Sequence, residues 1–93
     1  MIEKRVTVTN RLGLHARAAA RLVQMANRFQ SAVRLERLDD SVTADAKSIL
    51  SVLMLAAARG TELSAKAEGT DEAEAMAALS DLFNNGFGEM ESD

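Results

Sequence analysis

The spacing of apolar residues switches repeatedly along this chain between two and about 3.6, and that alternation restricts the fold more than any other feature. Residues 2–9, IEKRVTVT, alternate around Val6 and Val8 and are rich in β-branched side chains, the pattern of a strand. Asn10 to Gly13 make a turn. From Ala16 the period becomes helical: Ala19, Val23 and Ala26, with Leu22, Met25 and Phe29, form one apolar stripe, and Arg17, Arg21 and Arg28 belong to the other side. Residues 32–38, AVRLERL, alternate again at Val33 and Leu35. Asp39-Asp40 then turns the chain into a short return strand over 41–44, completing a hairpin. KSILSVLMLAA, residues 47–57, predicts a second helix that is apolar nearly all round, stopped by Gly60 with Arg59 in its last turn. TELSAKAE, residues 61–68, carries Leu63, Ala65 and Ala67 on one strand face. Thr70 is the expected cap of a third helix, with Asp71, Glu72 and Glu74 in its first turn and Ala73, Met76, Leu79 and Phe83 on its apolar side. Asn84-Asn85-Gly86 ends that helix, and an acidic tail is expected over 84–93. The order β-α-β-β-α-β-α predicts an α/β (α+β) open-faced two-layer sandwich, with a four-stranded antiparallel sheet carrying all three helices on one face.

A length of 93 residues leaves room for one domain, 1–93, and for no separate cofactor module. Three Phe with no Trp or Tyr leave the core to Ala, Leu, Val, Ile and Met. The absence of cysteine excludes disulfides, thiolate catalysis, zinc fingers and iron–sulfur clusters, and a single histidine excludes any site needing two imidazoles. Neither a metal nor a cofactor is expected. No apolar run approaches a membrane span, and MIEKRVTV lacks a signal-peptide pattern, so a cytoplasmic monomer without membrane insertion is the expectation.

Charge is unevenly distributed. Residues 1–38 hold eight basic and two acidic side chains, net +6, whereas 39–93 hold three basic and twelve acidic, net −9. The first half is suited to an anion or an acidic partner. The acidic total and the shortage of stacking aromatics argue against nucleic acid.

Chemistry concentrates in Asn10-Arg11-Leu12-Gly13-Leu14-His15-Ala16-Arg17. The only histidine stands at the mouth of a helix, where backbone N–H groups lack internal partners and the dipole is positive. Such a site accepts anions. The helix end and Arg17 favour the neutral, nucleophilic imidazole. A phosphoryl group on the ring would be held by the amides of Ala16 and Arg17 and by the Arg17 guanidinium. The sequence offers no nearby acid, serine or metal ligand to make His15 a general base, which leaves a covalent nucleophile toward phosphorus.

GLHARAAARLV resembles the active-site segment of HPr, the histidine-containing phosphocarrier family of the bacterial phosphotransferase system. DAKSILSVLMLAA resembles the family's helix with a regulatory serine, and ELSAKAEGTDEAEAMAAL its last strand and helix, so the likeness runs from residue 2 to about 88. The resemblance implies a phosphocarrier rather than a self-contained enzyme. His15 would receive a phosphoryl group through Nδ1 from enzyme I, Arg17 would stabilise it, and a IIA component would accept it. It also implies Ser48 as a target of HPr kinase/phosphorylase; read locally, Ser48 is simply a helix N-cap. Ala18 stands where the family often has proline, and LFNNGFGEMESD resembles the tails of proteobacterial and nitrogen-related phosphocarriers. Of Leu50, Leu53, Met54 and Leu55, most are expected in the core. One or two, Leu50 and Met54 among them, would form a docking patch ringed by Arg17, Arg21 and Arg28. The competing readings are a regulatory adaptor controlled by phosphorylation of His15 and Ser48, and an acylphosphatase-like enzyme.

Overall fold

A computed structural model describes residues 1–89. The elements run β1 (Ile2–Thr7), α1 (Ala16–Ala26), β2 (Ala32–Arg37), β3 (Thr43–Asp45), α2 (Ile49–Met54), β4 (Glu62–Glu68) and α3 (Glu72–Asn84), followed by a 3₁₀ turn at Gly86–Gly88. All strand pairs are antiparallel, in the order β1-β4-β2-β3. The expected open-faced sandwich is therefore the observed one. Period-2 alternation sends Val6, Val33, Leu35, Ala44, Leu63, Ala65 and Ala67 into the core. The opposite face pairs Glu3 with Lys66 and Arg34 with Lys66 in register, and Ser64 Oγ donates to Glu3 at 2.8 Å.

On the covered face α3 lies over β1 and β4, α2 beside β3, and α1 against both other helices. Leu22, Leu55, Leu79, Phe83 and Phe87 are fully buried there, each side chain contributing about 1.5–3 kcal/mol of transfer free energy. Phe83 and Phe87 meet edge to face with ring centroids 4.8 Å apart. Residues 84–89, read from the sequence as part of an acidic tail, thus include a core residue; residues 90–93 of that tail lie outside the described residues. Among the described residues no helix is long and apolar enough to cross a membrane.

Three local expectations need correction. The second helix spans Ile49–Met54 rather than 47–57 with a stop at Gly60, so Arg59 lies beyond it rather than in its last turn. A tertiary contact sets that end: Arg37 Nη1 donates to the carbonyls of Leu55 (2.7 Å) and Ala56 (3.2 Å), while Ala56 turns to φ 50°. Asp71, not Thr70, precedes α3 as its N-cap residue. Its carboxylate accepts from the N–H groups of Gln30 and Ser31 (both 2.9 Å) and from Ser31 Oγ (2.5 Å), tying the α1–β2 loop to α3. These bonds, first that from the Ser31 hydroxyl, hold the Asp71 carboxyl below the usual range. Ala73 is exposed and Ala75 takes the inward position beside Met76, in a helix that begins one residue later than a Thr70 cap would start it.

Candidate functional site

The turn after β1 is rigid at two points. Gly13 has φ +67°, and a Cβ there would lie 2.5 Å from the Ala57 carbonyl oxygen and 2.9 Å from Ala58 Cα, so only glycine fits. Next to it Leu14 N donates to the Ala57 carbonyl at 2.9 Å, fixing the start of α1 to the segment after α2. Asn10, fully buried, donates from Nδ2 to the Gly13 carbonyl at 2.7 Å.

His15 follows as the N-cap residue of α1, with extended backbone, and its carbonyl accepts from Ala19 N at 2.8 Å. Its side chain makes no capping bond, so the ring leaves the first amides of the helix uncovered. The side chain of His15 is 27 % exposed, and Arg17, in the first turn, is exposed. Ala16 and Arg17 are the first two residues of α1, directly after the imidazole in the chain.

One group at the site was not foreseen. The Glu89 carboxylate meets His15 Nε2 through Oε2 and accepts from Asn10 Nδ2 through Oε1 at 2.9 Å. The sequence places this acid 74 positions away from the histidine, and the reading that no acid stands near His15 is corrected here. What delivers Glu89 is the buried Phe87 between two glycines of positive φ, with Arg21 Nη1 donating to the Phe87 carbonyl. The GFG triplet was the available signal: a large apolar residue in a flexible polar stretch marks a chain that returns to the core. Burial opposes ionisation of Glu89, but hydrogen bonds from Asn10 and His15, together with the charge of Arg17, hold its carboxyl below the usual range. The contact engages Nε2, one of the two ring nitrogens.

The helix α2 runs alongside α1 in the opposite sense. Its far end is tied to the end of α1 by Asn27 Nδ2 donating to the Lys47 carbonyl at 3.2 Å, and the segment after it meets the start of α1 at Leu14. Ser48 caps α2, its Oγ accepting from Ser51 N at 3.3 Å. It therefore stands about 9 Å of helix away from the His15 end, at 1.5 Å per residue over six residues. The expectation that most of the α2 apolar run is core does not hold: only Leu55 of the four is buried, while Leu50, Leu53 and Met54 are exposed. Because the helix is short and only Val52 within it is buried, two of its sides remain at the surface. Ile49 and Leu12, neither singled out in the sequence, add to the exposed apolar surface. Arg21 and Arg28 instead line a cleft of about 480 Å³ between α1 and α3, on the side toward Asp81 and Asn85. Among the described residues no cluster of potential metal ligands occurs.

Both the sequence and the fold match known proteins. The family model described as the PTS HPr component phosphorylation site matches residues 2–85. The phosphocarrier protein HPr of Xylella fastidiosa is 51 % identical over 96 % of this chain and 98 % of its own. A solved HPr from Thermoanaerobacter tengcongensis superposes with a TM-score of 0.91 at 41 % identity, covering 97 % of this chain and 99 % of that one. An HPr dimer from the same organism gives 0.75 at 42 % identity, covering 96 % and 100 %.

Proposed function

The chain belongs to the HPr family of the phosphotransferase system and serves as one of its phosphocarriers, and from that premise we propose that His15 bears the phosphoryl group on Nδ1. The observation that carries this reading is an imidazole at a helix start that does not cap the helix and has only one nitrogen occupied. In the step, the Nδ1 lone pair bonds phosphorus as the bond to the donor breaks and its electron pair leaves with the donor. The phosphoryl oxygens meet the amides of Ala16 and Arg17 at the positive helix end and the Arg17 guanidinium. Enzyme I is the proposed donor and a IIA component the proposed acceptor. The exposed Leu50 and Met54 supply the apolar part of the surface they share, and Met adapts to partners of different shape. The proposed carrier works as a monomer, and Arg21 contributes to docking by keeping the C-terminal turn in place.

Arg17 separates chemistry from docking. Arg17→Gln should lower the maximal rate of phosphorylation by enzyme I roughly 10²-fold, the usual cost of removing one group aimed at developing transition-state charge. The KM for enzyme I should change little. A variant with a raised KM and a normal maximal rate would make Arg17 a docking residue only.

Ser48 is the proposed regulatory phosphorylation site, and HPr kinase/phosphorylase the proposed modifying partner. Aspartate is as good an N-cap as serine, so Ser48→Asp should melt with the wild type. Its charge sits beside exposed Ile49 and Leu50. Phosphorylation of His15 at limiting enzyme I should fall about fivefold, near the ~1 kcal/mol of one exposed charge interaction, and recover as salt rises. A normal rate at low salt would leave Ser48 with capping alone.

A further inference from the structure

We infer that Glu89 is a positioning residue that keeps the ring proton of His15 on Nε2 and so presents Nδ1 as an unprotonated nucleophile. The inference rests on the reading of His15 as the phosphoryl acceptor. It starts from an ordered chain of donors. Asn10 is fully buried, and both hydrogens of its Nδ2 are spoken for, one by the Gly13 carbonyl at 2.7 Å and one by Glu89 Oε1 at 2.9 Å. The amide cannot turn over, because its Oδ1 would then face two acceptor oxygens. Glu89, an ionised carboxylate 13 % exposed, has only acceptor atoms to offer His15, so the nitrogen it touches must carry the proton. In a neutral imidazole the other nitrogen then holds the lone pair. The same contact acts on the phosphorylated ring. Keeping a proton on Nε2 lets Nδ1 leave with the P–N electron pair as neutral imidazole when phosphorus bonds to the acceptor, and no proton needs to move in either direction.

Two anchors hold the carboxylate in place: Phe87 in the core and Arg21 on the Phe87 carbonyl. Among the described residues, the charge of Arg17 also reaches Glu89.

The chain of donors gives an unusual expectation for Glu89→Gln. Asn10 can face only an acceptor, so the glutamine must turn its carbonyl to Asn10 and its NH₂ to the ring. Nε2 then has to accept, and the ring proton moves to Nδ1, the nitrogen that should attack phosphorus. In ¹⁵N-histidine-labelled protein, long-range ¹H–¹⁵N spectra of the neutral ring should report Nε2–H in the wild type and mainly Nδ1–H in Glu89→Gln. Phosphorylation by enzyme I and phosphoenolpyruvate should slow about tenfold, the scale of one charge-assisted hydrogen bond. One phosphoryl group per chain should still be reached, with the KM for enzyme I unchanged. A Glu89→Gln ring that keeps its proton on Nε2 overturns the inference, whatever its rate. Failure of the underlying reading has a different signature: label on a residue other than His15 in the wild type, with the tautomer result unaffected.

Discussion

His15→Ala incubated with enzyme I and phosphoenolpyruvate should take up no phosphoryl group, while the wild-type chain takes up one that is acid-labile and base-stable. The loss is total because no other imidazole exists in the chain, and because a carrier has no second route for the group. The variant should nevertheless fold. The ring is 27 % exposed, caps nothing and packs in no core position, and Glu89 keeps its bond from Asn10 when the ring is gone, so the variant should lose about 1 kcal/mol, the scale of one hydrogen bond. Calorimetry beside the labelling experiment separates the two effects. Label that persists in a folded His15→Ala protein would remove the histidine from the reaction.

Gly13→Ala should do the reverse and act on the fold first. Its Cβ would stand 2.5 Å from the Ala57 oxygen, at a φ of +67°, against backbone atoms that cannot move aside alone. Left-handed strain and the forced shift of the Ala57–Ala58 segment together cost about 3 kcal/mol, which lowers the melting temperature by roughly 12–24 °C for a domain of this size. Gly60→Ala is the control. Gly60 has φ +91° but nothing within 4 Å of its Cβ position, so it isolates strain from collision and should cost about 1 kcal/mol. Equal losses in the two variants would show that the contact with Ala57 is readily relieved. Any Gly13→Ala protein still folded should also transfer phosphate slowly, because the Leu14–Ala57 hydrogen bond that fixes the start of α1 lies beside the collision.

What the sequence makes legible is what local periodicity decides. Val33 and Leu35, or Leu63, Ala65 and Ala67, alternate because a strand has two faces, and each of them is buried in the structure. The stripe through Ala19, Leu22, Met25 and Ala26 likewise faces the core, and His15 stands at the helix start, where the motif puts it. What escapes is set by residues distant in the chain. The end of α2 depends on a guanidinium from β2, and the start of α3 on a loop that draws Asp71 away from capping duty. The apolar run of α2 reads as core because hydrophobicity states a preference for burial and not whether a partner surface exists. Leu50 and Met54 are left exposed by the described residues. Glu89 was out of reach for the same reason as the α2 terminus: its role arises only when the last turn closes over the first.

The strand order carries a consequence for how the molecule comes into being. β1, which leads into the site, pairs only with β4, residue against residue from Ile2–Ala67 to Thr7–Glu62. During synthesis the first strand therefore waits for its neighbour while roughly sixty residues are added, about 3–12 s at ribosomal rates of 5–20 residues per second. In that interval only the β2–β3 pair of the sheet can form, and the glutamate that will meet the histidine has yet to be translated. A nascent chain halted before β4 would present an imidazole that no neighbouring group orients. Transfer at full speed therefore waits for β4 to pair with β1 and for Glu89 to reach the ring.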